Sequence, residues 1–428
     1  MQPGAGTAPF TLHVQKIHTA RLAFRLTMGR MDSLLTTLAD RVRAAAADHT
    51  PLRIRGGGSK AFLAATAHTG APGQPLEMQG LRGIISYEPS ELVVTARAGT
   101  PLAELEAALA EQHQCLPFEP PHFSPHATVG GMVAAGLSGP ARASAGAVRD
   151  FMLGVSIING RGEALTFGGQ VMKNVAGYDV SRLMAGSWGQ LGVITEVSLK
   201  VLPVAQAEAT LLFEGTQREA LQRLHAWGGL PLPLNASCWV PDGASGRLSV
   251  RLRGAVAAVE AACRSMGGER QRSASGAATA SVQASGTPDN PDNPDTPGAA
   301  DAPRAWQDCR EQRLPWFAQR SPQQALWRLS VPQTAPVLAL PPGIGDPLVE
   351  WHGALRWVQA GAEHAPALQA LARSVGGSAS QFIAQSADGQ SASVPFDAFS
   401  PALAQIHQQL RQAFDPAGIF NPGQNPWL

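Results

Sequence analysis

The sequence predicts an α+β protein of two domains, a glycine-rich N-terminal one and a ferredoxin-like α+β one after it. Three observations lead there. A chain of 428 residues exceeds one ordinary core, since a domain usually takes about 100–200 residues. Up to residue 203, short strand patterns alternate with helical ones around three glycine-rich loops. Beyond it, the order strand, helix, strand, strand, helix is that of a split β-α-β unit.

The elements follow in order. Residues 1–30 hold basic residues but no apolar run with a small-residue cleavage site, and read as a disordered extension. Leu34, Leu35, Leu38 and Val42 then recur at helical spacing. "PLRIRGGGSK" is a short strand entering three glycines, and "ELVVTARAGT" a second strand. Helix "PLAELEAALAEQH" turns Leu102, Leu105 and Leu109 inward. A hairpin is expected around "INGRGE". In "GVITEVSLKVL", Val193, Thr195, Val197, Leu199 and Val201 alternate with Glu196, Ser198 and Lys200, the pattern of a half-buried strand. The second domain, 204–398, runs through "EATLLFEG", "TQREALQRLHAW", "NASCWV", "RLSVRLRG" and "AVAAVEAACRSM", and resumes at "ALWRLSV", "WHGALRWVQAG", "PALQALARSV" and "ASQFIAQS". Between these halves, residues 270–303 contain Val282 as the one apolar residue larger than alanine or proline. Such a segment buries too little to offset its ordering entropy and is expected to be disordered. Residues 399–428 form a last helix, "SPALAQIHQQLRQAF", and a tail ending in "DPAGIFNPGQ".

Composition narrows the function. A net charge of +1 and 44% hydrophobic residues give no general attraction to nucleic acid or anionic lipid. Cys115, Cys238, Cys263 and Cys309 lie far apart, without the paired thiolates a zinc or iron-sulfur site needs. Buried, reduced thiols and a cytoplasmic location are expected. No run of about 18 apolar residues is present for a membrane span.

The glycines carry the chemistry. Gly56 to Lys60, Thr128 to Gly146 and Gly177 to Gly192 are loops where consecutive glycines let backbone N–H groups converge, as phosphate-binding nests require. A lone "GGGS" is more often a linker, but Ile54 and Phe62 flank this one with ordered structure. The nucleotide templates GxGxxG and GxxxxGK[ST] are missing, and "AGSWG" departs from a nucleophile elbow at Ala185.

Taken in order, "RIRGGGSK", "ATVGGMVAAGLSGPARASAGAVRD", "KNVAGYDVSRLMAGSWGQLGVITEVSLKVLP" and "FDPAGIFNPG" resemble the FAD-binding oxidoreductases of the vanillyl-alcohol oxidase type. Within that group the chain is similar to the FAD-binding E subunits of bacterial glycolate oxidases. The resemblance implies a two-part PCMH-type FAD-binding domain over 31–203, a cap domain over 204–398, and a C-terminal segment returning to the FAD domain. It implies that Arg55, Gly56, Gly57, Gly58, Ser59 and Lys60 form the pyrophosphate loop, and that Thr128, Gly130 and Gly131 approach the diphosphate and ribityl side. Ser138, Gly139, Arg142, Gly146, Arg149 and Asp150 follow in the next turns. Gly192 and Ile194 would offer backbone groups to the adenine; Lys173 and Asn174 stand between a cofactor contact and a solvated surface, and Trp188 reads as core rather than as a flavin stacking partner. Covalent members join the flavin to a histidine in the pyrophosphate loop. Glycine and serine stand here, so the resemblance implies noncovalent FAD.

The pattern then departs from that of a complete dehydrogenase. Oxidising a 2-hydroxy acid needs a base, a cationic anchor for the carboxylate and a flavin beside the α-carbon. Relatives acting on D-lactate or glycolate carry "HxGDGNxH" in the cap. Here His225, His352, His364 and His407 are isolated, and Arg356 is a lone charge able to hold a carboxylate. No metal site and no catalytic residue are assigned. The expected function is an FAD-carrying subunit of a glycolate oxidase complex, beside a sister FAD-containing catalytic subunit and an iron-sulfur subunit, peripheral to the inner membrane only through the complex. The alternative is a self-sufficient FAD-dependent D-lactate or 2-hydroxy acid dehydrogenase.

Overall fold

The computed structural model describes residues 32–64, 73–169, 178–271, 302–385, 397 and 399–422. The expected N-terminal extension, Lys173 and Asn174, and all but the ends of the expected 270–303 insertion lie outside the described residues.

Helix α1 (residues 32–47) presents Leu38, Ala39, Val42 and Ala45 to a small core shared with Leu52, Leu76, Leu81, Ile419 and Phe420. Strand β1 (Leu52–Arg55) pairs in parallel with β2 (Gln74–Glu77), and the short helix α2 (Ala61–Ala64) lies between them in sequence. The C-terminal tail joins the other side of β1: Leu52 N–H donates to Ile419 O at 2.7 Å, and Asn421 N–H to Leu52 O at 2.9 Å.

A five-stranded antiparallel sheet follows, built from β3 (Ile84–Glu88), β4 (Val93–Arg97), β6 (Met152–Ile158), β7 (Ala164–Gly168) and β8 (Val193–Lys200) in the order β3-β4-β8-β6-β7. A small ladder of β5 (Gln114–Cys115) and β9 (Leu202–Pro203) sits beside it. Helices α3 (Leu102–Glu111) and α4 (Val129–Ala135) pack their apolar sides against this sheet, while α5 (Arg142–Ala145) and α6 (Val180–Met184) are single turns. The β6–β7 turn is the expected hairpin: Asn159 Oδ1 accepts from the N–H groups of Arg161 and Glu163 at 3.0 Å each, and Gly162 takes φ +72°. Strand β8 is more buried than its alternation predicts. It is the central strand, and its inward polar groups are paired, Ser198 with Thr95 at 2.9 Å and Thr195 with Ser156 O at 3.0 Å.

The second domain is a single eight-stranded antiparallel sheet. Its first half comprises β10 (Ala207–Glu214), α7 (Gln217–Gly228), β11 (Leu234–Asp242), β12 (Ser245–Gly254), α8 (Val256–Met266) and β13 (Glu269–Arg270). After α9 (Ala302–Arg310) and α10 (Pro315–Ala318) come β14 (Ala325–Ser330), β15 (Leu348–Glu350), β16 (Leu355–Ala360), α11 (Ala365–Ser374) and β17 (Ser378–Ile383). The order β13-β10-β12-β11-β15-β16-β14-β17 places a β-α-β-β-α-β unit in the first half. The second half repeats its strand order as a mirror, with coil in place of the first helix, so the two halves meet at β11 and β15. Thr216 opens α7 with a capping box to Glu219.

The ends of the expected insertion are ordered. Arg270 pairs with Leu211 and meets Glu260 at 2.9 Å, and Ala302, Trp306 and Cys309 of α9 are buried. The final helix α12 (Pro401–Phe414) returns to the first domain, setting Leu410 and Phe414 against its core. The cap is fixed to the first domain by buried polar links. Glu119 faces Arg251 and Arg253, Glu311 accepts the Phe123 N–H at 2.7 Å, and Trp351 Nε1 donates to Gly139 O at 3.0 Å.

Candidate functional site

A cleft of about 410 Å³ runs along the first domain, lined on one side by Arg53 to Ala61 and on the other by α4 and the loop from Trp188 to Ile194. The loop after β1 forms one wall. Among the described residues, the backbone N–H groups of Gly56, Gly57, Gly58, Ser59 and Lys60 find no acceptor. Such a row of unpaired donors facing a cavity is suited to an anion. Gly58 holds the left-handed conformation, φ +70°. Gly57 is required for a different reason: a Cβ there would lie 1.4 Å from His126 O.

Helix α4 forms the floor. Its N–H groups are already used: Val129 donates to Thr100 O at 2.9 Å, Gly130 to Ala98 O at 2.7 Å, and Gly131 to Thr128 Oγ1 at 3.2 Å. Gly130 is set by packing, since a Cβ on it would meet Ala98 Cβ at 2.6 Å, while the half-buried Gly131 leaves the floor without a side chain at that point. Gly192, at φ +153°, and Ile194 complete the far wall.

The structure thus brings Arg55, Gly56, Gly57, Gly58, Ser59, Lys60, Thr128, Gly130, Gly131, Gly192 and Ile194 to one cleft. It does not bring the other six expected residues there. Ser138 accepts from Val148 N–H at 3.3 Å, Gly139 packs against Glu119 O, and Arg142 lies over the Trp351 ring at 4.5 Å. Gly146 takes φ +107° ahead of a turn that Asp150 caps by accepting from Ala147 N–H at 2.8 Å, and Arg149 is exposed. Arg356 lies inside the cap with a bond to Ala335 O at 3.3 Å, away from the cleft.

Lys60 marks the end of the cleft nearest the cap. Its ammonium sits 5.7 Å from the Phe123 ring centroid, and burial pulls its pKa down to about 8, opposed by Glu311. Phe123 also lines a second, small cavity of about 30 Å³ between the domains, with Ser138, Gly139, Arg310, Arg328, Glu350 and Trp351. Arg328 lies 5.1 Å from the Trp351 ring, and burial with Arg142 nearby pulls its pKa down to about 10. Burial raises the Glu350 carboxyl, which accepts from Cys309 Sγ at 2.8 Å and from Trp357 Nε1. No histidine lines either cavity among the described residues. His352 instead meets Ser144 Oγ at 2.9 Å, and burial lowers it to about 4.

The comparisons with known proteins agree with this geometry. A family model for an FAD binding domain matches residues 35–168. Over 389 residues, 90% of this chain and 96% of the relative, the sequence is 44% identical to the glycolate oxidase subunit GlcE of Escherichia coli strain K12. The chain belongs to this family of FAD-binding oxidoreductases. The D-lactate dehydrogenase of Anaerostipes hadrus is 31% identical over 36% of this chain and 32% of its own length. The glycolate oxidase subunit GlcD of Bacillus subtilis is 29% identical over 33% and 30%. A solved alkyldihydroxyacetonephosphate synthase shares the fold, with a TM-score of 0.58 at 16% identity over 90% of this chain and 74% of that one.

FAD is the cofactor of this family member, and the cleft fits it. The row of free N–H groups and Lys60 suit a diphosphate, and the side-chain-free floor admits an extended ligand. Trp188 and Asn421 are among the lining residues that the sequence does not assign to the site. Trp188 faces the cleft rather than the core, and Asn421, in the terminal "FNPG", reaches it from the far end of the chain. The "GIFNPG" segment was a signal for the second; nothing in the local pattern separates Trp188 from a core tryptophan.

Proposed function

We propose that this chain is the FAD-carrying subunit of a glycolate oxidase assembly, receiving or passing electrons through noncovalent FAD rather than oxidising the hydroxy acid unaided. In this reading Arg55 to Lys60 hold the diphosphate and Thr128, Gly130 and Gly131 underlie it, while Gly192 and Ile194 border the adenine. Ser138, Gly139, Arg142, Gly146, Arg149 and Asp150 shape the turns between the cleft and the cap. The partners are a sister FAD-containing catalytic subunit and an iron-sulfur subunit, and the assembly is cytoplasmic, held at the inner membrane only by association. FAD supplies the electron-accepting chemistry; this chain's residues bind and orient it and enclose it against the cap.

The observation that carries the reading is the row of five N–H groups from Gly56 to Lys60 without an acceptor among the described residues, in a chain that matches 96% of the length of the glycolate oxidase subunit GlcE. The placement of the cap histidines supports its second half, since His225 is bonded to Gln333 O at 2.6 Å and His352 to Ser144, outside both cavities. Arg328 beside Trp351 offers a carboxylate anchor, but an anchor without a histidine base beside it gives binding and little turnover. The test is anaerobic. The FAD-loaded chain is mixed with glycolate or D-lactate and its visible flavin band is followed, alone and with the partner subunits. Bleaching only with the partners is expected. Rapid bleaching of the single chain would establish the self-sufficient dehydrogenase instead.

A further inference from the structure

Trp188 sits in a backbone conformation that a bulky residue rarely adopts, φ +54°. Its neighbours Gly186 and Gly189 take φ +85° and +71°, so a glycine would complete this loop without strain. The conformation is held from both sides: Trp188 N–H donates to Ala134 O at 2.9 Å, and Asn421 Nδ2 donates to Trp188 O at 2.7 Å. The indole has no packing role that explains it. Every other described tryptophan joins an apolar cluster, but Trp188 belongs to none, and among the described residues its ring makes no aromatic contact and its Nε1 no hydrogen bond. It lines the cofactor cleft. A strained residue whose side chain serves no core points to a ligand.

Its position says which part of the ligand. Helix α4 has seven residues, about 10 Å at 1.5 Å each. Its first turn lies against the glycine loop, where a Cβ on Gly56 would meet Thr128 Oγ1 at 2.4 Å. Its last turn lies against the Trp188 loop, where a Cβ on Gly136 would meet Gly186 at 2.8 Å. The anion-binding loop therefore stands between two ends of the cleft. Lys60 and Phe123 lead from it to the cap on one side, and Trp188 stands on the other.

Resting on the reading above, we propose that Trp188 is the stacking platform for the adenine ring of FAD, and so selects a dinucleotide over a flavin mononucleotide. Aromatic side chains stack on bases through their π-faces without needing hydrogen-bond readout. The loop's two backbone bonds hold the indole ready for it.

The test titrates cofactor-free chain with FAD, FMN and ADP by calorimetry, in wild type, Trp188→Gly and Trp188→Phe. Trp188→Gly is expected to weaken FAD and ADP about ten-fold and leave FMN unchanged, with an apo melting temperature equal to or above wild type because the strain is gone. Trp188→Phe is expected to keep most of the affinity. Unchanged FAD affinity in Trp188→Gly, equal weakening of FMN and FAD, or an apo form that melts well below wild type would each overturn the assignment. A wild-type chain that takes neither flavin would instead overturn the FAD reading on which it rests.

Discussion

The side chain of Asn421 accepts the backbone N–H of Ile54 at 2.8 Å across 367 residues of sequence. The same carboxamide donates to Trp188 O at 2.7 Å. One buried group thus ties the C-terminal tail to the strand that launches the glycine loop and to the loop opposite. Replacing it with leucine strands Ile54 N–H and Trp188 O, and an unsatisfied buried group costs about 1–3 kcal/mol. Asn421→Leu is expected to lower the urea midpoint by the equivalent of roughly 3 kcal/mol and to loosen FAD. A midpoint and FAD affinity equal to wild type would show that the tail closes the fold without this latch.

Lys60 gives FAD binding a pH dependence. Its pKa is lowered to about 8 by burial, with Glu311 opposing. An anionic diphosphate favours the charged ammonium, so binding raises that value and takes up protons above it. Affinity should be level below about pH 8 and fall as pH rises beyond it. Lys60→Met should give a weaker, flat profile. Identical wild-type and Lys60→Met profiles between pH 7 and 10 would remove Lys60 from the anion site.

His352 predicts an acid-side loss of stability. Its pKa falls from 6.5 to about 4 because burial disfavours the imidazolium. The unfolded chain binds the proton first as pH drops below 6.5, so this stability is present above that value and is lost toward pH 4, to a total of about 3 kcal/mol. His352 also takes φ +54°, which asparagine tolerates. His352→Asn should therefore fold and show a shallower decline between pH 6.5 and 4 in chemical denaturation. Parallel declines in the two proteins would assign the acid sensitivity elsewhere.

How much of this was legible in the sequence follows from how local each signal is. Helices α3, α7 and α8 and the β6–β7 hairpin are set by spacing and turn residues within about a dozen positions, and the structure holds them. Strands β2, β3 and β15 were missed: they have few residues and no clean alternation, and neighbouring strands define them. Helix α9 was hidden by the polar segment before it, although Trp306 and Cys309 supply its buried face. At the site, the glycine spacing located the cleft but not each glycine's task. Gly57 answers to His126 O and Gly130 to Ala98, contacts made by loops distant in sequence. The left-handed conformation in this loop is held by Gly58. Trp188 looked like core because its partner, Asn421, lies 233 residues away.

The central claim is that the cleft between the Gly56–Lys60 loop and α4 holds FAD without a covalent bond. The direct measurement titrates purified, cofactor-free chain with FAD and then precipitates the complex with acid. One FAD per chain, released entirely into the supernatant, is the expected result. A chain that stays colourless through the titration, or a flavin that remains with the pellet, would contradict it.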